Sequence, residues 1–201
     1  MSAEALAALA GQLYARGWME GTAGNLSVRL PGGDTARVTA SGVSKGQLGP
    51  ADTVVVSIAD SRPVADGGAR PSAETTIHTA LYRRFPDCAA VVHAHPPHAT
   101  AVAAVAAARG QGAVRFTGVE IIKGLGTADP FAVTVPVLAN HPDVPRIAAD
   151  AEAELGPGSP PVFLIGAHGA TSWGPSLEVA RNRMECLEAL CELRLLIDRA
   201  A

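Results

Sequence analysis

AAVVHAH, residues 89–95, decides how this chain is read. Small and apolar residues, ending in Val91 and Val92, lead into two histidines separated by a single alanine. A short apolar run with β-branched residues reads as a buried strand, and the pair then sits at its end, where a site usually opens. Positions i and i+2 of a strand face the same side, so His93 and His95 can reach one ion. Taken alone, the spacing is equally compatible with a ligand pair and with two solvent-facing histidines.

Strand and helix patterns alternate on both sides of this stretch. AETTIHTALYRRF (73–85) before it and ATAVAAVAAA (99–108) after it read as helices. Further upstream, residues 3–16 form a helical pattern ending at Gly17. SVRL (27–30) and ARVTA (36–40) form a hairpin across Pro31-Gly32-Gly33-Asp34, and TVVVSI (53–58) reads as a buried strand. Downstream, VRFTGVEII (114–122) is mixed, FAVTVPV (131–137) alternates like a strand, and PRIAADAEAEL (145–155) is helical. PVFLIGAHG (161–169) is a buried strand running into glycine, and Ser176 caps a long final helix that carries Leu177, Ala180, Met184, Leu187 and Cys191 at helical spacing. Several strands are joined by short turns, so the expected fold is α/β with a mixed sheet and helices on both faces, in a single domain over 1–201.

Composition narrows the function. The chain has 201 residues, 48% hydrophobic and 17% charged, enough to bury a sizeable core, and a net charge of −3 gives no electrostatic case for nucleic acid or acidic membranes. Cys88, Cys186 and Cys191 are odd in number and lack CxxC spacing, which argues for a reducing compartment and against a cysteine zinc site. The start, with Glu4 early and no basic residue before Arg16, lacks a secretory pattern, and the alanine-rich run 94–110 is broken by Pro96 and Pro97 and is too short to span a bilayer. A cytoplasmic protein is expected.

His168 lies in LIGAHGATSWG, just past the buried strand and between glycines that admit a close ligand. Three neutral imidazoles at strand ends, with a coordination position left open, are the signature of a catalytic zinc site. His98, separated from His95 by Pro96 and Pro97, cannot share that strand geometry, while His78 and His141 read as a helix-face and a loop histidine. Glu74 reads on its own as a first-turn acid favoured by the helix dipole, and Glu120 as a surface partner of Lys123.

The ordered set GTAGNLS, TASGVSKG, RPSAETTIH, VVHAH, VEIIKG and GAHGATSWG resembles the class II aldolase and adducin superfamily, over nearly the whole chain. VEIIKGL, TVPVLANHPDVPRIA and HGATSWGPSLEVARNRMECLEAL are similar to its methylthioribulose-1-phosphate dehydratase branch. The resemblance implies a three-layer α/β/α sandwich around a central mixed, largely antiparallel sheet. It implies one Zn2+ per subunit on His93, His95 and His168, and a homotetramer with active sites near subunit contacts. It also implies a phosphate site from Thr22, Gly24, Asn25, Ser41, Gly42 and Ser72, with Lys45, although Ala23, Ala40 and Ser44 depart from residues common in relatives. The expected acid/base groups are Glu120, by likeness to the dehydratases, and Glu74, by likeness to the aldolases. The implied reaction is dehydration of 5-methylthioribulose 1-phosphate in methionine salvage. A sugar-phosphate aldolase of the fuculose, rhamnulose or ribulose type needs almost the same groups, and a non-catalytic adducin-like module would have no need of the three histidines.

Overall fold

The computed structural model describes residues 2–66 and 68–200; Met1, Gly67 and Ala201, which belong to the expected 1–201 unit, lie outside the described residues. Helix α1 (Ala3–Ala15) is capped by the Ser2 side chain, which accepts from the Ala5 N–H, and it buries Leu6, Leu9 and Leu13. Burying each leucine contributes about 1.5–3 kcal/mol, so the apolar face rather than the cap dominates its docking. The remaining elements are β1 (Asn25–Arg29), β2 (Thr35–Thr39), β3 (Thr53–Ser57), α2 (Thr75–Arg84), β4 (Ala90–Ala94), α3 (Pro97–Ala108) and β5 (Ala113–Thr117). They continue with a 3-10 helix (Glu120–Leu125), β6 (Ala132–Leu138), α4 (Val144–Glu154), β7 (Val162–Ile165), β8 (Gly169–Gly174) and α5 (Leu177–Ala200).

Eight strands form one sheet in the order β3-β2-β1-β4-β8-β7-β6-β5, with β6–β7 its parallel pair and the others antiparallel. Period-two alternation divides the core. Leu26, Val28, Val92 and Leu164 pack on one face with residues of α1, α3 and α5, while Val38, Val91, Phe163 and Trp173 pack on the other with residues of α2 and α4. The layers are helix, sheet, helix, and the sheet is mixed and largely antiparallel, as expected. Two local readings change. The 53–58 segment is an edge strand with only one face covered, not a fully buried one. The strand expected over 161–169 stops at Ile165, and the residues after His168, where the sequence pattern marks no element, form β8, which is buried along its whole length and pairs with β4 and β7.

Strand direction fixes where chemistry can gather. Asn25 at the start of β1 pairs with His93 near the end of β4, and Ala170 at the start of β8 pairs with Ala94. β2 runs antiparallel to β1 and ends beside its start. One end of the sheet therefore collects the end of β4, the loops before β1 and after β2, and the β7–β8 turn. β5 runs the other way, pairing its Thr117 end with the start of β6, so Glu120 emerges at the opposite end. Among the described residues no helix is long and apolar enough to cross a membrane.

Candidate metal centre and active site

His93 shares the α2/α4 side of β4 with Val91, and its cross-strand neighbours there are Asn25 and Thr171. His95 lies just beyond the strand, its N–H bonded to the Trp18 carbonyl at 2.8 Å. His168 is presented by the β7–β8 turn, in which Ala167 holds a left-handed φ of 52°. That conformation costs a residue with a Cβ about 1–2 kcal/mol, and the flanking strands enforce it. Gly169 must be glycine for a different reason: a Cβ there would lie 2.6 Å from the Ala94 carbonyl oxygen and 2.7 Å from His95 Cδ2.

The three imidazoles form a near-symmetric tripod. Ring centroids are 5.1, 5.0 and 4.8 Å apart and the planes cross at 77°, 76° and 79°. Each ring presents one nitrogen, and these lie within 4.8 Å of one another, with His93 Nε2 and His95 Nε2 separated by 3.1 Å. Two neutral rings cannot aim lone pairs at each other across that gap without a cation or proton between them. The donor set fits a divalent ion: three imidazole nitrogens converge, and the Glu74 carboxylate faces two of them. His93 is held ready by Thr171, since Nδ1 lies 3.0 Å from Thr171 Oγ1; a proton on Nδ1 donates there and leaves the Nε2 lone pair facing the centre. Sequence reading missed Thr171, although it follows His168 by only three residues in the same glycine-flanked motif. Thr171→Val, which keeps the shape and deletes the acceptor, is expected to weaken divalent-metal affinity about 10–100-fold in a competition titration.

Glu74 is the N-cap position of α2, but its side chain caps nothing. It points across the strand ends: Oε1 is 3.0 Å from His168 Nε2, Oε2 is 3.3 Å from His93 Nε2, and Asn25 Nδ2 donates to Oε2 at 2.5 Å. Burial works to raise its pKa, but His93, the His168 contact and the Asn25 amide outweigh that and hold the carboxyl well below the usual range. Burial first, then the adjoining His93 and His168 rings, lowers His95 to about 4, and burial likewise lowers His93. His93 and His95 held neutral beside an ionised carboxylate are in the protonation states a cation needs.

A cavity of about 290 Å³ opens beside this cluster. It is lined by Thr22, Gly24, Asn25, Ser41, Gly42, Lys45 and Ser72, together with Glu74 and His95. The structure thus brings every expected phosphate residue to one hollow next to the tripod. Gly24 has a φ of +71°, and a Cβ would meet Met19 Cγ at 2.8 Å, so the loop turns tightly there. Lys45 is buried; its ammonium donates to the carbonyls of Thr22 (2.9 Å) and Val43 (3.1 Å), leaving a third proton for a ligand, and burial lowers its pKa against the pull of Glu74. The Ser41 N–H is taken by the Arg70 carbonyl at 2.8 Å, so Ser41 can contribute its hydroxyl.

The structure does not bring Glu120 to this group. Its side chain is 84% exposed, pairs with Lys123 at 3.0 Å, and stands at the other end of the sheet. The remaining histidines have other partners: His78 Nδ1 meets Ser27 Oγ at 2.7 Å, His98 Nδ1 meets Glu188 at 2.8 Å, and His141 Nε2 meets Asp150 at 3.1 Å. His78 lies in a buried chain with Ser27 and Tyr82, and burial, followed by His93, lowers it to about 3. Because the folded pKa values of His78 and His95 fall below the ordinary 6.5, the unfolded chain binds more protons than the fold in that window. The metal-free protein is therefore expected to lose thermal stability steadily as pH drops from 6.5 towards about 4, and a flat melting profile there would refute the buried neutral rings.

The chain matches the class II aldolase and adducin N-terminal domain family over residues 4–195. It is 57% identical over 197 residues to a probable bifunctional methylthioribose-1-phosphate isomerase/methylthioribulose-1-phosphate dehydratase of Nocardia farcinica, covering 96% of this chain and 35% of that protein. It therefore spans about a third of that relative's length. It is 42% identical over 187 residues to the methylthioribulose-1-phosphate dehydratase of Microcystis aeruginosa, covering 91% of this chain and 89% of the relative. Among solved structures, the L-fuculose-1-phosphate aldolase of Thermus thermophilus superposes with a TM-score of 0.75 at 30% identity, covering 98% of this chain and 93% of that one. With the family model matched over residues 4–195 and a relative 42% identical over most of both chains, the chain belongs to the class II aldolase and adducin N-terminal domain family.

Proposed function

We propose that this chain is a hydro-lyase that dehydrates 5-methylthioribulose 1-phosphate to 2,3-diketo-5-methylthiopentyl 1-phosphate, in one domain that carries one zinc ion on His93, His95 and His168. The observation that carries this reading is the junction of the tripod with the Lys45-lined cavity, which sets a phosphate pocket beside a cluster suited to a ketose's neighbouring oxygens. When bound, the ion supplies Lewis acidity at the C2 ketone and stabilises charge that develops as the C3 proton leaves. Lys45 and the hydroxyl, amide and loop groups of Thr22, Gly24, Asn25, Ser41, Gly42 and Ser72 bind the C1 phosphate and orient the sugar carbons.

A glutamate carboxylate takes the C3 proton, the C4 hydroxyl departs with a proton as water, and the remaining enol becomes the second ketone. Glu74, fixed by Asn25 beside the rings, is placed to hold or move a proton at this point. Glu120 reaches such a site only from another copy, so in this account it serves the active site of a neighbouring protomer in a homotetramer. Incubating the purified protein with methylthioribulose 1-phosphate and following products by mass tests the reaction. Loss of one water is expected; cleavage into two carbon fragments would make the chain an aldolase, and no turnover with no metal uptake would leave a binding module.

A further inference from the structure

α3 begins with Pro96 at its N-cap position and Pro97 in its first turn, and no side chain of its own caps it. The N–H groups of His98 and Ala99 would be left as orphan donors. They are satisfied from 90 and 89 residues away: Glu188 Oε1 accepts from the His98 N–H at 3.1 Å, and Glu188 Oε2 from the Ala99 N–H at 2.8 Å. The same Oε1 lies 2.8 Å from His98 Nδ1, so one carboxylate of α5 is engaged three times. Glu188 is only 6% exposed. A carboxylate buried so deeply is costly unless its partners are fixed, so this contact defines where α3 starts.

His95 stands immediately before that start. Its own N–H is bonded to the Trp18 carbonyl at 2.8 Å, and the two prolines between it and His98 allow little backbone freedom. We propose that Glu188 is a positioning residue for the metal centre: by capping α3 it fixes the His95-Pro96-Pro97 segment and hence the His95 ring in the tripod. This rests on the metal reading above. Losing the cap leaves α3 free to shift at its first turn, and the ring next to it shifts as well.

The test uses zinc itself. The zinc dissociation constant of the stripped full chain is measured by chelator competition for wild type, Glu188→Ala and Glu188→Gln, at a temperature where far-UV circular dichroism shows each to be folded. The visible band of the Co2+-loaded forms is recorded alongside. The expected result is a 10–100-fold weaker affinity and an altered Co2+ band for Glu188→Ala, with a smaller change for Glu188→Gln, which keeps one acceptor. Should Glu188→Ala not fold, Glu188→Gln carries the test. Folded variants that bind zinc as wild type does would overturn the role of Glu188 alone, whereas a wild type that takes up no ion would overturn the metal centre and this role together.

Discussion

His168→Ala releases the metal and abolishes turnover. Two imidazoles on one strand end remain, with the Glu74 carboxylate beside them, and no other described histidine or cysteine can restore the third nitrogen or supply a thiolate: His78, His98 and His141 are engaged elsewhere, and Cys88 is buried with its thiol pushed up to about 12. Structural zinc sites bind with ~10–16 kcal/mol from four ligands, so losing one ligand should cost on the order of 3 kcal/mol, about a hundredfold or more in affinity. Metal content after gel filtration, read beside activity, checks it. The fold should survive, because the turn is anchored by β7 and β8 rather than by the ring. A variant that keeps stoichiometric metal would remove His168 from the ligand set.

The second large effect concerns the glutamates. Glu74→Gln keeps the shape and the Asn25 contact but cannot accept a proton, and a positioned acid–base group is worth ~10²–10⁴-fold. A loss of that order in kcat, with zinc retained, is expected. Glu120→Gln should lose as much, although its side chain stands in solvent beside Lys123 within one chain. Hybrids test whether Glu120 acts across a subunit contact. Glu120→Gln and His168→Ala are each expected to be inactive alone, but if copies assemble as proposed, refolding the two together lets a protomer with intact histidines meet an intact Glu120 from its neighbour. Recovery of activity supports transfer across the subunit contact; no recovery in proven hybrids, or full activity of Glu120→Gln alone, contradicts it.

How much of this was legible follows from the range over which each signal acts. β4 declared itself because Val91, Val92 and the HxH spacing encode burial and face locally. The seven cavity residues were named through motifs, and the antiparallel order of β2, β1 and β4 explains why loops from separate parts of the chain meet. β8 escaped because Gly-Ala-Thr-Ser-Trp-Gly has neither an apolar run nor clean alternation; its burial comes from neighbours on both sides. Glu188 and Thr171 carry no local mark of their partners, 78 or more residues away. Glu120 was legible only as a motif, and its exposure in one chain is a property that sequence spacing does not encode.

Zinc K-edge absorption on the purified 201-residue chain, with metal per chain measured on the same sample, is the most direct examination of the tripod. The account predicts one ion per chain with three imidazole nitrogens at about 2.0–2.1 Å and oxygen in the remaining position. Thiolate sulfur in the first shell, fewer than three imidazoles, or a chain that takes up no divalent ion would contradict it.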